Sequence, residues 1–273
     1  MTPLAARATA SCLRVYAVGL NTFREAIRNK VLYGILAVVV GVNLFALVLG
    51  EMSLSEEARV ARDVGLAGVS LFGAITAIVL GVSLLHTEVQ KRTIHAMIAK
   101  PLGRPEFVVG KYLGMAATLT LLVACFAVAL AGLLHLQGVP FAGAVVKAVV
   151  LGWLEVLVVA GIAVLFSAFS TPFLSGIFTL AIFFVGRVTP ELRYAAARAR
   201  DEWIRRVAEW ALAILPDLDV FAISGGEHQG VPVSVHADFV PWSYVGDAAV
   251  YAGAWIVLLL IGAALVFSRR DFT

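Results

Sequence analysis

The stretch Ala144–Phe166, AVVKAVVLGWLEVLVVAGIAVLF, runs for 23 residues with one lysine and one carboxylate, Glu155, set among aliphatic side chains. About 20 predominantly apolar residues suffice to cross a ~30 Å hydrocarbon layer as a helix. No backbone polar group finds a partner in lipid, so a crossing segment is a helix or a strand of a closed barrel. The uniform apolarity of this run, with no alternation of period two, predicts a helix.

Working outward, five further segments approach the same length: 31–50, 65–85, 113–135, 172–188 and 248–267. Positions 156–186 are almost continuously apolar, and the break into a fourth and a fifth span is placed at Ser167-Ala-Phe-Ser-Thr-Pro172, where hydroxyl residues and a proline interrupt the run. The chain is 61% hydrophobic and 14% charged, with a mean hydropathy of +0.94, far from the composition of a soluble domain. The expected fold is an all-α integral membrane protein of six transmembrane helices, forming one domain over residues 1–273. No h-region of a cleavable signal precedes the first span. Cys12 and Cys125, far apart and in or beside apolar segments, offer neither a disulfide framework nor a CxxC site.

Lys and Arg cluster before the first span (Arg7, Arg14, Arg24, Arg28, Lys30), between the second and third (Lys91, Arg92, Lys100, Arg104, Lys111) and at the end (Arg269, Arg270). By the positive-inside rule both termini are expected in the cytoplasm. The connection 187–247 falls outside by parity although it holds six arginines; it also holds nine carboxylates, and a loop this long orients a protein weakly.

Two amphipathic segments are expected beside the spans. Leu13, Tyr16, Leu20, Phe23 and Ile27 recur at helical spacing before the first span, predicting an N-terminal helix along the inner membrane surface. Leu192, Ala196, Ala199, Trp203, Val207, Trp210 and Ile214 fall within about 80° of arc on one helix in the outer loop, with charged residues on the rest. This predicts a helix at the outer surface or capping the bundle. After Pro216 the glycines and the alternating Val231–Val235 predict a loop with one short extended piece.

The connection 86–112 holds more order than a charge anchor requires. Glu88 and Arg92 are spaced i,i+4 with the acid first, and Ile94, Met97 and Ile98 form a small apolar face. Lys100-Pro101-Leu-Gly103 ends that helix, Pro105 suits the first turn of the next, and Glu106 sits favourably against its dipole. A short helix with its own apolar face and a rigid turn suits docking into a groove of another protein.

Glu88-x-x-x-Arg92-Thr93-Ile94 followed by Ala99-Lys100-Pro101-x-x-Arg104-x-x-Phe107-x-x-Gly110-Lys111 resembles the first cytoplasmic connection of the ABC-2 type transporter permeases. The closing Phe267-Ser-Arg-Arg-Asp-Phe272 is similar to the ending seen in that family, and Gly103 departs from the serine frequent before its arginine. The resemblance implies a permease in a bacterial inner membrane, paired with a second copy or a paralogue and with two separate ATPase subunits. It further implies that Glu88, Arg92, Thr93, Ile94, Lys100, Pro101, Arg104 and Lys111 couple the spans to those subunits. The chain has no G-x-x-x-x-G-K-[ST] loop, so ATP is expected on the partner and no cofactor on this chain. No basic groove for a nucleic acid is evident either.

Glu155 is the only acid deep in a span, where insertion costs about 2.5–3.5 kcal/mol, so it is expected to face the bundle or a wet cavity. It is read either as a transport or gating residue or as an interhelical contact, with Asn43, Thr76, Ser83 or Thr118 as partners. His228 and His236 match no recurrent metal spacing, and no metal site is expected. Two other classes stand beside transport: an intramembrane enzyme using Glu155 and the span-end His86 and His135, although no HExxH or GxSxG motif occurs, and a non-transporting membrane anchor or assembly factor.

Overall fold

The structure is a computed structural model that describes residues 3–52, 57–90, 103–136, 143–199, 201–222, 226–228, 231–233 and 240–269. The long apolar runs are helices: α1 (Pro3–Ile27), α2 (Lys30–Met52), α3 (Glu57–Gln90), α4 (Arg104–Leu136), α5 (Gly143–Ser167), α6 (Pro172–Arg187) and, last in the chain, α9 (Trp242–Arg269). Between α6 and α9 lie α7 (Thr189–Arg198), α8 (Glu202–Ile214), a 3-10 turn at Asp219–Phe221, and β1 (Gly226–His228) paired antiparallel with β2 (Val231–Val233).

Four helices among the described residues are long and apolar enough to cross a membrane: Asp63–Ser83 within α3, α4, α5 and Trp242–Ser268 within α9. The pair α6 and α7, bent by 68° at the break between them, makes a fifth if counted as one span. In α2 the apolar part that qualifies is shorter, Lys30–Val42. The chain is therefore a multi-pass helical membrane protein.

The division between the fourth and fifth spans falls where the hydroxyl residues and proline predict it. α5 ends at Ser167 and α6 begins at Pro172, whose missing N–H costs nothing in a first helical turn. The outer loop is not the single long helix that its apolar spacing predicts. α7 ends at Arg198, Ala199 is extended (φ −61°, ψ 126°), and α8 starts afresh after Asp201, so the two fold against each other. Trp203, Val207, Trp210 and Ile214 stay exposed while Ala208 is buried.

The core sits on α5, which packs against α3, α4, α6 and α9. All residues from Leu154 to Val164 are buried, with Glu155 and Val158–Ala160 fully so. α3 and α5 cross at van der Waals distance through small residues: a Cβ on Gly81 would lie 2.5 Å from that of Ala163. Without a hydrophobic driving force between helices in lipid, such close packing supplies the association energy.

α1 lies alongside the first turns of α4, running in the same direction. A Cβ on Gly114 would meet the carbonyl oxygen of Gly19 at 2.4 Å and Thr22 at 2.6 Å, so only glycine permits the approach. The face of α1 that packs is its small-residue face, with Gly19, Thr22 and Ala26 buried, while Leu13 and Tyr16 away from that face are exposed. Of the apolar stripe that predicts this helix, Leu13 and Tyr16 are uncovered and Leu20, Phe23 and Ile27 are half-buried.

Candidate functional site

At one end of the bundle, the start of α4 gathers α1 and α9. Gly103 N–H donates to Glu106 Oε2 at 3.2 Å, the returning half of a capping box, which Glu106 supplies without a serine at the N-cap. The same carboxylate accepts two bonds from Arg14 on α1, Nε to Oε2 and Nη2 to Oε1, both at 2.8 Å. That contact raises the pKa of the Arg14 guanidinium further above its ordinary value. Lys111, one turn on, is only 2% exposed, with its Nζ 3.8 Å from Glu25 of α1 and 5.7 Å from the Phe107 ring centroid.

Two motif segments far apart in sequence meet here. Arg104 Nη1 donates to the carbonyl of Ser268, and the rings of Phe107 and Phe267 stack at 5.8 Å. The Arg104-x-x-Phe107 motif is thereby seated against the Phe267-Ser268 start of the C-terminal motif. Of the other residues expected to couple the spans to a partner, Glu88 lies on the last turn of α3, its side chain outside the described residues. Arg92, Thr93, Ile94, Lys100 and Pro101 lie outside the described residues altogether. So does His236, while His228 ends β1 and His135 is exposed near the end of α4.

Midway along α5, Glu155 is fully buried and bonds to none of Thr76, Ser83 and Thr118. Thr76, Ser83 and Thr118 each donate to a carbonyl of their own helix. Asn43's side chain falls outside the described residues. Glu155 instead accepts from Arg187 Nε at 2.7 Å, from Arg187 Nη2 at 3.1 Å and from Ser70 Oγ at 2.7 Å, and Arg187 Nη2 also reaches Ser70 Oγ. Three helices, α3, α5 and α6, are tied at one point.

Arg187 is the residue the sequence reading missed, having been counted only as the first arginine of the outer loop. The available signal was that a lone acid in one span and a lone cation closing the next, shorter span each need a partner in lipid. The chain after α8 returns to this place: Leu218 N–H donates to Gly186 O at 3.0 Å, and Leu218 and Phe221 are completely buried.

A cross-helix bond links the two clusters. Tyr112, next to Lys111, donates from Oη to Leu157 O at 3.1 Å, two residues beyond Glu155. Among the described residues no group of three or more His, Cys, Asp or Glu could hold a metal ion. Glu155, held by a two-pronged guanidinium and a hydroxyl, ties the three helices together.

The family model described as ABC-2 family transporter protein matches residues 16–272, and the chain belongs to that family. It is a permease subunit of an ABC transporter. A comparison with curated proteins finds no match.

Proposed function

We propose that this chain transports its substrate with ATP hydrolysed by separate ATPase subunits that dock on the connection 86–112, and that it works beside a second copy or a paralogue. On this reading α2 and the bent α6–α7 pair also cross, giving six spans with both termini in the cytoplasm of a bacterium's inner membrane. α1 presents its Leu13 and Tyr16 stripe to the inner surface, and the tryptophans of α8 lie at the outer one.

The observation that carries the proposal is the meeting of Arg104 and Phe107 with Ser268 and Phe267. A push delivered to the connection preceding Arg104 is received at once by α4 and α9, and through Arg14–Glu106 and Lys111–Glu25 by α1. α4 passes it through Tyr112 to α5, where Glu155 and Arg187 hold α6. Closing and parting of that pair is then a two-state element that ATP turnover biases. ATP stays on the partner, and this chain contributes no catalytic residue.

Purification of the tagged full chain from its native membrane tests the proposal. An ATPase with a phosphate loop is expected to copurify; recovery of the chain with no ATPase under conditions that preserve membrane complexes contradicts it.

A further inference from the structure

A cavity of about 380 Å³ opens between the end of α8, the segment 217–220 and the first half of α9. Tyr244, Asp247, Tyr251 and Trp255 of α9 all line it, at steps of three and four residues that place them on one helical face. The facing wall is apolar, with Leu212 at the end of α8 and Leu215 just after it. The polar groups differ in what they offer a ligand. Asp217 is committed: Arg193 Nη2 donates to its Oδ2 at 2.7 Å, and Asp219 N–H donates to its Oδ1 at 3.1 Å. Asp217 N–H donates to Tyr251 Oη at 2.8 Å and Tyr244 Oη donates to Val220 O at 2.7 Å, so both phenols are anchored at their tips. Asp247 is exposed and has no hydrogen bond or ion pair among the described residues.

The charged lining is therefore one cation, Arg193, against two carboxylates, Asp217 and Asp247, with the first two paired to each other. One negative charge is left over, on Asp247. An exposed carboxylate is content in water, so its effect is to select the charge of what enters rather than to demand a partner. Tyr244 and Tyr251 stand three residues before and four after it, and aromatic rings attract a cation within about 6 Å of their centres. A single positive charge at Asp247 is favoured by carboxylate and rings alike, and an anion is opposed by both. The rest of such a ligand follows α9 toward Trp255, eight residues and about 12 Å from Asp247 at 1.5 Å per residue, against Leu212 and Leu215. A phosphate carried beside the ammonium would return a like charge to Asp247, so a free amine fits better than a lipid headgroup.

We infer that this cavity binds an organic monocation, a free amine with an apolar body. Its ammonium sits at Asp247 between Tyr244 and Tyr251, and its body lies along Trp255, Leu212 and Leu215. The site stands whether or not an ATPase docks at the connection 86–112.

The test is a ligand-observed NMR titration of the full chain in a nonionic detergent with phenylpropylamine, phenylpropanol and phenylpropanoate, one frame that carries a positive charge, none and a negative charge. The amine is expected to bind about tenfold more tightly than the alcohol, and the carboxylate most weakly. Asp247→Asn is expected to lower affinity for the amine about threefold, the scale of an exposed ion pair, and to leave that for the alcohol unchanged. Ala213→Trp, which fills the cavity from an exposed wall, is expected to lower affinity for the amine about tenfold with thermal unfolding unchanged. Dihexanoylphosphatidylcholine at equal concentration is expected to leave the amine bound. Equal affinity for amine and alcohol, wild-type affinity for the amine in Asp247→Asn or in Ala213→Trp, or displacement of the amine by the short-chain lipid each overturns the inference.

Discussion

Arg187 donates to both carboxylate oxygens of Glu155, from Nε at 2.7 Å and from Nη2 at 3.1 Å, joining two helices whose paired residues stand 32 positions apart. Glu155 is wholly buried and Arg187 is a quarter exposed, so neither charge is well solvated without the other. Removing one partner of a buried pair costs about 3–5 kcal/mol, whereas replacing both is often close to neutral. Arg187→Ala is therefore expected to lower stability by that amount, and Glu155→Gln with Arg187→Gln together by much less. Unfolding of the purified protein in detergent measures both; a double variant as damaged as the single one would mean that the pair is not the unit of stability.

If the same pair is the moving tie, Glu155→Gln, which keeps the side-chain shape and the Ser70 contact but removes the charge, lowers transport while the protein still assembles. Transport by the reconstituted complex, compared with its ATP turnover, reads this. Full transport in Glu155→Gln would leave the pair with a structural role only.

Much of this fold is legible in the sequence because lipid imposes a simple rule: long apolar runs must be helices. The spans read at 113–135, 144–166 and 172–188 fall inside or within a residue of helices at Arg104–Leu136, Gly143–Ser167 and Pro172–Arg187. Contacts that depend on which faces meet were not legible. Periodicity singles out Leu13, Tyr16, Leu20, Phe23 and Ile27 on α1, yet the closest packing uses Gly19, Thr22 and Ala26, because close approach selects small residues over large apolar ones. Glu155 is recognisable as an acid in need of a partner, and Arg187 closes the next, shorter span, but that the two meet depends on how the helices pack. The break at Ala199 was hidden because the apolar spacing of α7 continues in phase into α8.

The seam between α1 and α4 predicts an asymmetry among glycines. Gly114→Leu forces side-chain atoms into Gly19 and Thr22 and is expected to cost about 1–3 kcal/mol and to free α1. Gly132→Ala, on the same helix with nothing within 4 Å of the added carbon, is expected to be neutral or slightly stabilising. Limited proteolysis at the α1–α2 turn, together with thermal unfolding, separates the two; equal sensitivity would refute the close packing.

The Arg14–Glu106 pair predicts a charge-swap rescue. Arg14→Glu is expected to weaken the docking of α1 modestly, since both side chains are partly exposed. Combining it with Glu106→Arg should restore most of that loss, and added salt should shrink the difference. A double variant no better than the sum of the two singles would remove this contact from the account.

Topology has a direct check in Cys12, which is exposed on α1. In a Cys125→Ser background, an impermeant maleimide is expected to miss Cys12 in intact cells and to label it in inverted vesicles. A cysteine introduced at Glu202 on α8 should behave in the opposite way. Labelling of both from the same side would reverse the assigned orientation or change the number of spans.

The account rests most heavily on the connection 86–112 receiving force from an ATPase. The direct measurement is ATP turnover by the copurified complex in lipid, with the wild-type chain and with Glu88→Lys or Arg92→Glu. The account predicts that either reversal weakens ATPase association and abolishes the increase in turnover that the permease confers. Association and turnover unchanged from wild type in both variants would contradict it.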